Sequence, residues 1–460
     1  MLNVPKNQIF MGPSGCSKTY NIIVETLRIL GSQLIKEDPN YQYSKEEYNQ
    51  LIDEFDEKKR SGEIEVISFH DSYSYIDFIE GSKLDIRNGR DAAGYEMNFI
   101  DRSGCFKKIA QKALFECIDL PLMKKLQIFS FAKILEYFKE LYPLGSVFDI
   151  ESSAFEIVRY TNKAIVIKPK SQSVMVELLY EPLAQLLEKN IEREIQGKEI
   201  KEILEPYKGT TAFYNTIFLK LCDLYESAKV QLIEEFYRGS YTLKTENIKP
   251  FVLIIEEIDN CNISKVFGEL ISLLDEDKRS KRVVRLPYSQ EKFMIPENLY
   301  IIGTITSPTY STDLKNWNIL LRKFSFKSHK PDSKLVADFG CNFKEKFKLM
   351  NERIAFLIRE GYQIGHGFFI NEKYADADIN TLRELWFRHV YPRLRLYFKD
   401  DFMKMQMLLG SAQNNNCSFI KTMNNVNLPK NCSFDTTPRF MLAEDTEDFD
   451  FAQALDYAFS

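Results

Sequence analysis

No CxxC pair occurs in this 460-residue chain, although it holds eight cysteines (Cys16, Cys105, Cys117, Cys222, Cys261, Cys341, Cys417 and Cys432), and its four histidines lie far apart in sequence. These absences argue against a zinc site and against a disulfide framework. No charged-then-apolar leader opens the chain, and no run of about eighteen apolar residues crosses it, so neither export nor membrane spanning is expected. A reducing cytoplasm is the expected compartment. A basic excess is also missing: the net charge is -5. Any contact with nucleic acid must then rest on a local basic surface or on a partner. No internal repeat is apparent.

What is present supports burial. Hydrophobic residues make up 44% and charged residues 28% of the chain, a balance that excludes global disorder, and the length exceeds what one hydrophobic core usually serves. Two or more packed units are expected.

Near the start, Asn7-Gln8-Ile9-Phe10-Met11 reads as a short strand, Gly12-Pro13-Ser14-Gly15 as a loop, and Thr19 to Leu30 as a helix. That order suits a phosphate-binding loop, in which successive backbone N–H groups and a helix N-terminus face the anion. Gly12-Pro13-Ser14-Gly15-Cys16-Ser17-Lys18-Thr19 matches the P-loop pattern except that Ser17 stands where the second glycine is expected. With Tyr20 these residues form the candidate nucleotide site. Lys18 supplies a point charge, and the Thr19 hydroxyl reaches magnesium. A serine fits there without strain only if the backbone does not need a positive φ. The alternative is a strand-to-helix turn that holds no ligand.

A continuous apolar run, Pro250 to Ile255, reads as a strand buried on both faces and ends in Glu256-Glu257-Ile258-Asp259-Asn260. Carboxylates at that strand end are placed to hold magnesium (Glu256) and to polarise the attacking water (Glu257). Taken alone, they also suit a solvated strand end.

The segment Ile254 to Leu270 strongly resembles the IIDEINRGNISKIFGEL stretch of McrB-type AAA+ GTPases. Further echoes run through Leu274 to Arg279, Val284 to Ser289, Phe293 to Thr304, Ser68 to Tyr75, Phe78 to Gly81, Gly104 to Lys107, and Tyr362 to Phe369. The resemblance implies an α/β fold of the AAA+ P-loop NTPase type, with a parallel sheet core, a C-terminal helical lid and a large, mainly helical insertion. On that reading 1–117 and 249–330 are the two parts of the core, 118–248 the insertion, 331–410 the lid and 411–460 a loose tail. It further implies a homo- or hetero-hexameric ring with nucleotide between neighbours, GTP or ATP with Mg2+, an McrC-like nuclease partner, and a place in DNA restriction and phage defence. Family members commonly carry a DNA-recognition domain ahead of the phosphate loop; eleven residues precede Gly12 here, so contact with DNA is expected through partners.

Several motifs depart from the family. Its magnesium-binding Asp is Glu256, its Asn-Arg is Asp259-Asn260, and its MNTADRS signature is Ile305-Thr306-Ser307-Pro308-Thr309-Tyr310-Ser311. Thr306 is left to hydrogen-bond a water. The LRRRF element is Leu320-Leu321-Arg322-Lys323-Phe324, making Arg322 the candidate arginine finger, with a plain surface arginine as its alternative. Slow hydrolysis is the expectation; a non-hydrolysing scaffold and a protein-remodelling ATPase are the alternatives. His366 either approaches the nucleotide or is a hydrogen-bonded structural histidine. Lys163, Lys168 and Lys170 either touch phosphates or sit on a solvated hairpin, and the acidic tail around Phe449 and Phe451 either docks on a partner or precedes a last short helix.

Overall fold

The computed structural model describes residues 4–38, 41–85, 98–150, 153–170, 173–192, 197–306, 314–399, 401–410, 417–423 and 439–459. A central sheet is built from β1 (Asn7–Met11), β2 (Ile64–Ser68), β3 (Phe251–Glu256), β4 (Leu299–Ile305) and β5 (Ser325–Ser328). Hydrogen bonding orders these strands β5-β1-β4-β3-β2. β1 runs parallel to β5, with Gln8 opposite Ser325 and Met11 opposite Ser328. β2 runs parallel to β3, from Ile64 opposite Val252 to Ser68 opposite Glu256. In β3 every residue from Phe251 to Ile255 is buried and Glu256 is exposed, which accounts for an apolar run without alternation. The first strand of the chain lies inside the sheet rather than at its edge. From β1 the chain crosses to β2 at one edge and then returns through β3 and β4 to β5 at the other, so β1 leads off in the direction opposite to every later crossing, the kind of arrangement whose crevice at the carboxyl ends of strands collects ligands.

By packing, the chain separates into two units. One comprises Met1–Asn7, Ile23–Glu256 and Asn260–Ile302. Its largest excursion, residues 118–248, is mostly helical, with Phe131–Leu141, Tyr180–Glu192 and Thr211–Tyr237 the long helices. It also carries a four-stranded antiparallel sheet of Val147–Ile150, Ser153–Tyr160, Ala164–Pro169 and Val176–Leu179. Helices and sheet share a core that includes Phe138, Phe155, Ile165, Tyr214 and Leu221. The two ends of the excursion are zipped together: Lys244 N–H donates to Cys117 C=O (2.8 Å) and Asp119 N–H to Thr242 C=O (2.9 Å). Lys168 and Lys170 are exposed, and Lys168 stands opposite Glu156 on the neighbouring strand, a pairing of opposite charges.

The other unit comprises Gln8–Ile22, Glu257–Asp259 and Gly303–Ser460. Here α1 (Lys18–Ile29) starts, and α2 (Leu314–Lys323) precedes β5. The C-terminal helices, beginning with α3 (Phe343–Leu357), surround a core of Phe343, Phe347, Phe369 and Trp386. Phe449 and Phe451 are buried in that same core, so the aromatic pair of the acidic tail is satisfied within the chain, next to the short helix Phe451–Ala458. No helix among the described residues is long and apolar enough to cross a membrane.

Candidate nucleotide-binding site

β1 ends at Met11 and α1 starts at Lys18, leaving Gly12 to Ser17 as the connecting loop. Its two ends are fixed by backbone bonds: Gly12 N–H donates to Ile305 C=O of β4 (3.2 Å), and His329 N–H donates to Met11 C=O (2.7 Å). Gly15 has φ +81° and Ser17 φ +54°. The position where serine replaces glycine thus does require the left-handed region, at a cost of about 1 kcal/mol for a residue with a Cβ. A hydrogen bond of 2.7 Å between Ser17 Oγ and His366 Nε2 answers that cost.

Lys18 Nζ donates to the loop's own carbonyls, Gly12 O (2.7 Å) and Pro13 O (3.0 Å). Burial lowers its pKa, and the charge of Glu257 opposes that shift. Burial pushes the Cys16 thiol up to about 11, which keeps it neutral and unreactive. Thr19 lies on the first turn of α1 with its side chain exposed, and Tyr20 follows, half-buried.

The acidic strand end is arranged by β4. Glu257 has φ +51°, a strained conformation for a non-glycine residue. Its N–H donates to Thr304 Oγ1 (2.9 Å). Its carboxylate accepts from the Thr306 hydroxyl. Thr306, expected to bind a water, is therefore turned onto Glu257. Asp259 has a buried Oδ1 without a hydrogen-bond partner. Burial, reinforced by the neighbouring Glu257 charge, pushes its carboxyl up to about 6. Glu256 is exposed at the end of β3. Arg322 is exposed on the last turn of α2. Residues 307–311 of the altered signature lie outside the described residues.

Three participants carried no local mark in the sequence. His329 stacks on Phe10 with ring centroids 5.2 Å apart. Asp332 donates its N–H to His366 Nδ1 (3.1 Å). A cavity of about 510 Å3 adjoins the start of the loop, lined by Gly12, Pro13, Trp317, His329, Arg359 and Gln363 among others. Its volume falls within the ~300–1,000 Å3 usual for small-molecule sites.

The family model described as "McrB, alpha-helical lid domain" matches residues 342–406, and the model described as "AAA domain (dynein-related subfamily)" matches residues 172–318. These two segments are thus similar to the lid of McrB-type proteins and to an AAA domain. A curated relative, the type IV methyl-directed restriction enzyme EcoKMcrB subunit of Escherichia coli (strain K12), is 33% identical over 202 residues. That match covers 38% of this chain and 44% of the relative. The sheet and the C-terminal helices described above are accordingly an AAA domain with a parallel-strand core and an McrB-type helical lid.

Proposed function

We propose that this McrB-like chain binds a nucleoside triphosphate with Mg2+ and hydrolyses it slowly, as a ring subunit that drives or gates DNA restriction in phage defence through an McrC-like nuclease. The observation that carries the reading is the assembly around the loop: Lys18 on the loop carbonyls, and Glu257 held at both its N–H and its carboxylate by Thr304 and Thr306. The nest of N–H groups from Ser14 to Lys18 takes the phosphates, and Lys18 exchanges its carbonyl partners for phosphate oxygens.

The donor set suits magnesium. Thr19 offers an exposed hydroxyl at the helix start, and Glu256 an exposed carboxylate; hard oxygen donors of this kind, completed by phosphate and water, are what the ion takes. Bound there, it would neutralise charge on the phosphates. Glu257 then orients the attacking water, and Arg322 meets the developing charge on a neighbour's nucleotide. The base, guanine or adenine, occupies the cavity beside Pro13 and Trp317. DNA contact runs through partners, the ring is homo- or hetero-hexameric, and the site of action is the cytoplasm.

A second reading, a nucleotide-gated scaffold without turnover, draws on the same contact: a Glu257 carboxylate satisfied by Thr306 is less available to water. Hydrolysis of GTP and ATP by wild type beside Glu257→Gln separates the two. Turnover lost in the variant, with binding retained, supports the working motor; binding without turnover in either supports the scaffold.

A further inference from the structure

The lid turn Gly365 to Phe368 lies against the phosphate loop backbone to backbone. Gly367 N–H donates to Gly15 C=O (2.8 Å). A Cβ on Gly365 would fall 2.3 Å from both Ser14 O and Gly15 C, so any other residue there would drive the two segments apart. The turn is itself anchored in the lid: the Phe368 ring stacks on His389 at 5.1 Å, and the Arg393 guanidinium lies 4.4 Å from its centroid.

His366 provides the side-chain half of this contact. It is 3% exposed. Since Nδ1 accepts the Asp332 N–H, that nitrogen carries no proton in the neutral ring, and the proton resides on Nε2. The 2.7 Å contact is therefore Nε2–H donating to Ser17 Oγ. Glycine, the P-loop consensus at this position, has no atom to accept it.

The geometry of a trans peptide gives the contact a consequence. Its C=O and N–H point in opposite directions, so a Gly15 carbonyl held outward by Gly367 turns the Cys16 N–H the other way, toward the inside of the loop. We propose that Ser17 and His366 form a latch by which the lid holds the phosphate loop in its anion-binding conformation, Ser17 being a positioning residue that ties nucleotide affinity to lid placement. Parting of the lid from the loop releases Ser17, lets the Gly15 peptide rotate, and lowers affinity for phosphate.

The latch rests on the reading of this loop as the nucleotide site, but its existence is measurable without nucleotide. Amide hydrogen exchange at residues 15–19 is followed in the full nucleotide-free chain for wild type, Ser17→Ala, Ser17→Gly, His366→Ala, His366→Gln and the double variant Ser17→Ala/His366→Ala. Affinity for GTPγS and ATPγS is measured in parallel. Each alanine variant is expected to speed loop exchange about tenfold and to weaken nucleotide binding by a similar factor. The double variant should be no worse than the worse single one, as for two partners of one bond, and His366→Gln, which retains a donor, should recover most of the effect. Ser17→Gly, free of backbone strain, should still exchange faster than wild type. Additive effects of the two alanine substitutions, or wild-type protection in Ser17→Gly and Ser17→Ala, overturn the latch. The two serine variants keep the test decisive if His366→Ala does not fold. Non-additive exchange in a chain that binds neither nucleotide would uphold the latch and refute the nucleotide reading.

Discussion

The hydroxyl of Thr306, at the end of β4, donates to the carboxylate of Glu257, just beyond β3. This bond makes the threonine a positioning group for the proposed base rather than a direct ligand of water. Thr306→Val should reduce kcat for nucleotide hydrolysis about tenfold or more, with KM nearly unchanged, because the affected group acts on the reacting water and not on the bound phosphates. Thr306→Ser should behave as wild type. Steady-state rates for the three proteins check this; equal kcat in Thr306→Val would remove the threonine from the account.

Asp259 stands where the resembling family has asparagine, and burial followed by the Glu257 charge raises its pKa to about 6. A carboxyl whose folded pKa lies above its unfolded value binds protons more readily when folded, so it opposes folding increasingly as pH rises through that window. Asp259→Asn should therefore raise stability at pH 8, on the order of 1–2 kcal/mol, and the gain should vanish near pH 4. Denaturant melts of both proteins across that range provide the check.

Burial lowers the pKa of His366 and of His329. Their neutral forms are favoured in the fold, so their contribution is present above the unfolded histidine value and is lost as pH falls below it. The thermal midpoint should drop between pH 7.5 and pH 5.5, and His366→Gln should lessen the drop. A midpoint that rises over that interval would contradict the sign.

Asn298 is 5% exposed and joins three segments, donating to Ala113 O (3.0 Å) and Lys249 O (2.7 Å) while accepting from Cys117 Sγ (3.0 Å). These bonds clamp the base of the excursion formed by residues 118–248. Asn298→Ala should destabilise the protein by about 2–3 kcal/mol, since it strands buried backbone acceptors. Chemical denaturation measures the loss, and a change below about 0.5 kcal/mol would show that water replaces the side chain.

The strand, loop and helix around Gly12 to Lys18 were legible because each has a local signature, as does the apolar run of β3. Ser17 was visible as a departure, but neither its positive φ nor its hydrogen bond to His366 was, since the partner lies 349 positions away. The sequence casts Thr306 as a water ligand for the same reason: which way a hydroxyl turns depends on what the neighbouring strand brings beside it. Of the four-stranded sheet within 118–248 the sequence marks a hairpin around Ala164 to Lys170, but not the outer strands, Val147–Ile150 and Val176–Leu179, which are only 4 residues long. An alternation so short does not stand out between helices. For Phe449 and Phe451 the tail alone leaves open docking on a partner or a place before a last short helix, because the lid core that buries them is assembled from segments distant in sequence.

The central claim is that the loop from Gly12 to Thr19 holds a nucleoside triphosphate, and calorimetric titration of the full chain with GTPγS and with ATPγS in the presence of Mg2+, beside Lys18→Ala, tests it most directly. The account predicts saturable binding of at least one nucleotide by wild type, weakened at least tenfold in the variant and equally weakened when Mg2+ is chelated. Absence of binding to wild type, or binding that Lys18→Ala leaves intact, would contradict it.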